Sequence, residues 1–262
     1  MPHRVPEIVA DQVKTCVEGS ELFVSATPRT TSKLALVVPT LREAGNIRVL
    51  LDRIRQSLDP LGIPYEVIVV DDDSRDGIET IVQEISASDP RVNLLVRKAE
   101  RSLAGAVIYG WSQTDAEILG VIDADLQHPP ELLPELWKAM EDGKDVVLAS
   151  RYARHGGLPN WHPARHLLST MAIWLTYPLQ KPGIQVKDPM AGFFMVRRSC
   201  LQNVSLHGRG FKILLEILIR ANVRSVAEIP FTFGSRYAGT SKASLKVGFD
   251  YLALLYTLWA NR

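Results

Sequence analysis

Apolar residues along this chain come in short, unbroken blocks, and the stretches between the blocks have helical spacing. Leu34 to Val38, Val67 to Val70, Val92 to Val96, Ile118 to Ile122 and Val146 to Ala149 each read as a strand. Between the first two, Ile47, Leu50, Leu51, Ile54 and Leu58 recur at the period of a helix over Asn46 to Leu58. Ile78 to Ile85, Leu103 to Trp111 and Pro130 to Met140 supply further helices. Unbroken apolar runs mark strands covered on both faces, and strands alternating with helices predict an α/β fold around a parallel sheet. Crossovers in such sheets are right-handed, and ligands bind beyond the C-terminal ends of the strands.

After Arg151 the alternation stops. Gly156-Gly157 is a flexible break. A helix is expected over Pro163 to Tyr177, with Leu167, Met171, Trp174 and Leu175 as a wide apolar stripe. Phe211 to Ala221 reads as another helix, Ala227 to Phe233 as a late strand or hairpin, and Ser235 to Lys242 as a polar loop. Residues 1–33 read as an irregular extension, 34–242 as the main domain, and 243–262 as a C-terminal amphipathic or apolar helix. That last segment, Tyr251 to Trp259 above all, is shorter than the roughly 20 apolar residues that span a bilayer. It is expected either to lie on a membrane or to lead into a membrane segment of a longer parent chain.

Composition narrows the class. With 262 residues, 46% of them hydrophobic, the chain can build one substantial core. A net charge of +1 gives no reason to expect nucleic acid. Cys16 and Cys200 are far apart and lack the spacing of a zinc site or a disulfide framework, so a reducing environment fits.

Polar chemistry gathers where three strands end. Ile118 to Ile122 runs into Asp123-Ala124-Asp125, with Gln127 two residues further and Pro129-Pro130 ending the strand. Two carboxylates and an amide oxygen suit a hard divalent cation, Mg²⁺ or Mn²⁺, that shares its shell with a polyphosphate. The plain alternative is a capped turn. Asp71-Asp72-Asp73 ends another strand, where Asp71 could accept hydrogen bonds from a nucleobase and the others could cap the loop. After the first strand, Glu43 could accept from base or ribose, or could pair with Thr40 in a capping box. Arg236 and Lys242, among Gly239, Thr240 and Ser241, suit a loop that meets phosphate. Arg151, Arg165 and Ser169 suit a second anion site, or ordinary surface pairing. His128, His155, His162 and His166 lack metal-ligand spacing and read as surface or helix-end residues. Asp188 could serve a turn or hold sugar hydroxyls.

Together these motifs resemble one family. Val38-Pro39-Thr40 with Glu43, Val70 to Ser74 with Asp76-Gly77, Asp123 to Glu131, Gly210 to Glu216, and Arg236 with Gly239, Ser241 and Lys242 are similar to the polyprenol-phosphate mannosyltransferases. These are inverting GT-A glycosyltransferases of family 2, the dolichol-phosphate mannose synthase group, and the likeness runs from Leu34 to Lys246. The resemblance implies a Rossmann-like, mostly parallel sheet with helices on both faces, plus amphipathic helices at a membrane interface. It implies transfer of mannose from GDP-mannose to a polyprenyl phosphate at the cytoplasmic face of a membrane, by a peripheral or anchored protein. On it, Asp123, Asp125 and Gln127 bind the metal. Pro39, Thr40, Glu43, Asp71, Asp123 and Ala124 contact the nucleotide. Asp125, Arg236 and Lys242 act in catalysis, and Arg151, Arg165 and Ser169 hold the lipid phosphate. Leu41-Arg42 departs from the Tyr-Asn usual in the family, so stacking of a tyrosine on the base is lost. UDP-glucose as donor, or a subunit that binds sugar nucleotide without turnover, are the rival readings. A nucleotidyltransferase is disfavoured because no Gly-rich triphosphate loop follows the first strand.

Overall fold

A computed structural model describes residues 32–98, 101–153, 170–206, 212–232, 255 and 257–259. The strands are β1 (Leu34–Thr40), β2 (Tyr65–Asp71), β3 (Val92–Val96), β4 (Ile118–Val121), β5 (Val146–Ser150), β6 (Phe194–Arg197) and β7 (Val226–Pro230). They form one seven-stranded sheet in the order β3-β2-β1-β4-β6-β5-β7. Every neighbouring pair is parallel except those made by β6, which runs against β4 and β5. The start of β6 therefore lies at the same edge as the ends of β1, β2, β4 and β5.

The helices are α1 (Ala44–Leu58), α2 (Ile78–Ser88), α3 (Leu103–Ser112), α4 (Leu133–Glu141) and α5 (Ile213–Arg220). Because strand side chains alternate between faces, each strand feeds two cores. Leu34, Leu36, Val38, Val67 and Val69 join α1, α2 and α4 on one face. Ala35, Val37, Ile68, Val70 and Val121 join α3 and α5 on the other. The expected sheet, covered on both faces, is what forms. Gly110 lets α3 approach closely: a Cβ there would sit 2.8 Å from Val37 Cγ2 and 3.0 Å from Val70 Cγ2.

Two features add to the sequence reading. β6 has no counterpart in the sequence reading, because Phe193 to Val196 is a short apolar run outside the strand–helix rhythm. The apolar stripe on the expected helix 163–177 also faces outward where it is described. Residues 170–174 are helical, yet Met171, Trp174 and Leu175 are 55%, 70% and 55% exposed, while Ile173 and Thr176 are buried. Leu258, near the C-terminus, is buried against Leu179 and Leu215, and the adjacent Trp259 is 66% exposed. No helix among the described residues is long and apolar enough to cross a membrane.

Candidate active site

The loops after β1, β2 and β4 surround a cleft of about 300 Å³. Pro39, Thr40, Leu41 and Glu43 line one side, Asp72 with Arg101 to Leu103 another, and Asp123, Ala124 and Asp125 the floor. Arg42, Asp73, Arg75 and Leu126, spread over the three loops, hold left-handed backbone at φ 58°, 52°, 53° and 60°. Non-glycine residues pay of order 1–3 kcal/mol for such conformations, which persist where surrounding structure fixes them.

Hydrogen bonds do the fixing between β1 and β2. Asp71 is fully buried. Its Oδ1 accepts from Thr40 Oγ1 at 2.9 Å and from the Ser74 hydroxyl, and its Oδ2 accepts from Ser74 N at 2.8 Å. Arg42 N donates to Ser74 Oγ at 2.7 Å, so both loops are tied to one carboxylate. This corrects the expected nucleotide contact at Asp71: the side chain is turned inward, and Asp72 lines the cleft instead. Asp72 Oδ2 accepts from Ser102 N at 2.9 Å, and Arg97 Nη1 lies 3.2 Å from Oδ1. Burial raises the Asp72 carboxyl above its usual range, against the opposing pull of Arg97.

The capping-box reading of Thr40 and Glu43 also gives way. Glu43, not Thr40, precedes the first turn of α1, and it makes no side-chain cap bond. Its Oε2 accepts from Asn46 Nδ2 at 2.7 Å, whereas Ala44 N donates to Asp76 Oδ2 at 3.0 Å. Both Thr40 and Glu43 remain on the cleft wall.

Asp123 and Asp125 follow β4 at the cleft floor, and Gln127 N donates to Asp125 Oδ1 at 3.1 Å. The Asp123 side chain is 28% exposed. Desolvation, and then the Asp125 charge, push its carboxyl up to about 7, while Lys212 and Arg151 pull it down. A carboxylate so placed gains from an added positive charge. Two carboxylates at a strand end suit a divalent cation; among the described residues no group of three or more His, Cys, Asp or Glu is placed to hold one.

Charged groups that are not part of the cleft lining act on Asp123. Arg151 is not a surface ion-pairing residue: its side chain is only 13% exposed. Its fork meets the fully buried Asp188 in two bonds, Nε to Oδ2 at 2.8 Å and Nη2 to Oδ1 at 2.7 Å. Asp188, left open between a turn and sugar hydroxyls, is thus the counter-ion of Arg151. Lys212, flanking α5, is lowered to about 8 by burial and the Arg151 charge, with Asp123 and Asp188 opposing. His128 is not at the surface but 4% exposed, and burial followed by Arg151 lowers it to about 3, so it is neutral. Arg165, Ser169, Arg236 and Lys242 lie outside the described residues, as do His155, His162 and His166.

Comparison with known proteins places this geometry. Residues 35–205 match the pattern of glycosyl transferase family 2. The chain belongs to glycosyl transferase family 2. As a family 2 chain it is 41% identical over 227 residues to dolichol-phosphate mannosyltransferase of Pyrococcus furiosus, covering 86% of this chain and 63% of that relative's length. It is 35% identical to dolichol-phosphate mannosyltransferase of Saccharomyces cerevisiae, over 86% of each chain. Among solved structures, glucosyl-3-phosphoglycerate synthase from Mycobacterium tuberculosis, with Mn²⁺, UDP-glucose and phosphoglyceric acid, superposes with a TM-score of 0.62. That match covers 88% of this chain and 79% of the other at 18% identity, and it shows the shared GT-A fold.

Sequence reasoning gave no ligand-facing role to Asp72, His128, Gly192 or Lys212, although His128 and Lys212 stand inside the motifs that carry the family resemblance. Asp72 sat in an acidic run whose members look alike until the backbone turns. His128 and Lys212 gave no signal of burial. Gly192 follows Asp188 in an unassigned loop, and only the antiparallel placement of β6 brings it to the site.

Proposed function

We propose that this protein transfers mannose from GDP-mannose to a polyprenyl, dolichyl-type phosphate with inversion, releasing GDP. The observation that carries the reading is the cleft itself: a nucleotide-sized wall from β1 and β2 meets an acidic floor at Asp123 and Asp125. Relatives named dolichol-phosphate mannosyltransferase, matched over most of this chain, support the choice of reaction. In it, Pro39, Thr40, Glu43, Asp72 and Ala124 hold the nucleoside. Asp123, Asp125 and Gln127 hold Mg²⁺ or Mn²⁺, which when bound supplies Lewis-acid stabilisation of the leaving diphosphate.

The chain's own groups do the rest. The transition state has oxocarbenium character at the anomeric carbon. The attacking phosphate oxygen needs no general base, because a phosphate monoester with a second pKa of about 6 is largely dianionic at neutral pH. The remaining difficulty is to bring two anionic phosphates together. Arg151, with Arg165 and Ser169, offsets that repulsion at the acceptor, and Arg236 and Lys242 do so at the donor. Lys212 adds charge on the same side. Since Asp188 already neutralises much of Arg151, the acceptor's charge is met by this group as a whole rather than by Arg151 alone.

The acceptor is a lipid, so the enzyme works at a membrane surface, on its cytoplasmic face. Exposed Met171, Trp174, Leu175 and Trp259 support this. The segments that carry them share the cluster of Leu179, Leu215 and Leu258. Tryptophan suits a boundary that is apolar on one side and wet on the other.

One experiment tests the whole reading. Folded protein, Mn²⁺ or Mg²⁺ and a short polyprenyl phosphate are incubated with labelled GDP-mannose or labelled UDP-glucose. A lipid-soluble product is expected from GDP-mannose. Product from UDP-glucose alone would overturn the donor, and nucleotide binding with no product from either would overturn the activity.

A further inference from the structure

Resting on the metal assignment just proposed, the geometry points to His128 and Gly192 as positioning residues that seat the Asp123 carboxylate for a divalent cation. The first side of the seat is backbone. A Cβ on Gly192 would lie 2.1 Å from Asp123 Oδ2, 2.7 Å from Cγ and 3.0 Å from Oδ1. No side chain other than hydrogen fits there while Asp123 keeps this place. Gly192 stands just before Phe193 and β6, and β6 pairs antiparallel with β4, so the two strands deliver carboxylate and glycine to one point.

The second side is an imidazole. His128 Nδ1 faces Asp123 Oδ2 at 3.6 Å. The ring cannot easily leave: it is 4% exposed and lies between Phe193, at 6.1 Å and 72°, and Phe231, at 5.4 Å and 37°. Phe193 is the neighbour of Gly192, so one short segment shapes both sides of the seat. A neutral polar ring is suited to this place. A lysine or arginine would pair with Asp123 and compete with a cation, and an apolar ring would leave the carboxylate without a polar neighbour on that side. At 3.6 Å the contact is electrostatic rather than a hydrogen bond, and hydrogen-bonded partners of metal ligands, typically worth 10–100-fold in metal affinity, set the upper scale.

The test reads Mn²⁺ binding, not turnover. Electron paramagnetic resonance of free Mn²⁺ gives its dissociation constant for the full chain with GDP present. GDP binding without metal and the thermal melt report whether each variant is folded. His128→Phe, which keeps the ring packing, and Gly192→Ala should each weaken Mn²⁺ about tenfold or more, with metal-free GDP binding unchanged. His128→Gln, which restores a polar group, should recover part of the loss. Unchanged Mn²⁺ affinity in folded His128→Phe and His128→Gln would overturn the seat. So would a loss that simply tracks the melting temperature across the series. Asp123→Ala separates the two levels of the argument. If it abolishes Mn²⁺ binding while the His128 variants do not weaken it, only the seat fails. If it too leaves Mn²⁺ binding intact, the metal assignment fails and the seat with it.

Discussion

The cleft lining at β1 and β2 and the charged groups that act on Asp123 are built from different interactions. Between β1 and β2, polar groups satisfy one another through hydrogen bonds: Asp71 alone gathers Thr40, the Ser74 hydroxyl and Ser74 N. Around β5, β6 and α5, charges face charges: Arg151 pairs with Asp188, Arg151 and Lys212 act on Asp123, and Asp123 and Lys212 are both pushed toward their neutral forms. A hydrogen-bonded wall is complete before a ligand arrives. A group in which Asp123 and Lys212 are pushed toward their neutral forms responds to any further charge that enters it. The difference suits a site where the nucleoside must find a fixed pocket and where metal and two phosphates bring the missing charge.

The largest effect should follow from removing the acidic floor. Asp125→Ala and Asp123→Ala should each lower kcat at least about a hundredfold, comparable to losing a preorganised group that stabilises transition-state charge. Steady-state transfer to a short polyprenyl phosphate checks this, with the melt as a control for folding. Full turnover in either variant, or in thorough chelator, would remove the floor from the chemistry.

Stability offers a direct contrast of the two regions. Asp71 and Asp188 are both fully buried. Asp188→Ala leaves the Arg151 guanidinium buried without its counter-ion, which costs about 3–5 kcal/mol. Asp71→Ala strands neutral donors at Thr40 and Ser74, which costs about 1–3 kcal/mol. Urea denaturation should rank the variants in that order. Equal losses would mean the two regions do not differ in kind.

That contrast also marks what the sequence could reveal. Strand runs, helix periodicity and the acidic motif after β4 were legible because each is local: residues that act together stand together. β1, β2, β4 and β5, with α1 to α4, follow closely from apolar spacing. The antiparallel β6 was not legible, since a short apolar run carries no mark of direction. For the same reason Gly192 and the burial of His128 stayed hidden: both depend on what β6 and Phe231 bring from elsewhere. Sequence reasoning put Asp71 rather than Asp72 at the ligand, because apolar spacing does not show which carboxylate at the end of β2 is turned inward. Arg151 and Asp188 are 37 residues apart, and nothing in either neighbourhood announces the pair.

A smaller effect should appear in the pH dependence of stability without divalent cation. The Asp123 carboxyl is raised to about 7 in the folded protein, against about 3.9 in an unfolded chain. The folded state therefore holds this proton more tightly. The stability it contributes is fully present below about pH 4 and is lost as pH rises through 7. The melting temperature should fall across that window in metal-free buffer by more than it does in Asp123→Asn. Mn²⁺ with GDP should restore it at neutral pH. An Asp123→Asn profile identical to that of the unaltered protein would show that the Asp123 carboxyl is not raised as described.

The smallest effect belongs to the hydrogen-bonded wall. Ser102 caps α3: its Oγ accepts from Gly105 N at 3.2 Å while its own N donates to Asp72 Oδ2 at 2.9 Å. Ser102→Ala removes the first bond and leaves the second, and an N-cap loss of this kind costs about 1 kcal/mol. Ser102→Gly should cost only a few tenths, because glycine tolerates the cap position. If the wall is a network fixed by hydrogen bonds, Ser102→Ala should also loosen Asp72 and raise the KM for the nucleotide donor about twofold, with kcat unchanged. A fall in kcat at constant KM would instead tie this wall to the charged groups, and the division between binding and chemistry would lie elsewhere in the cleft.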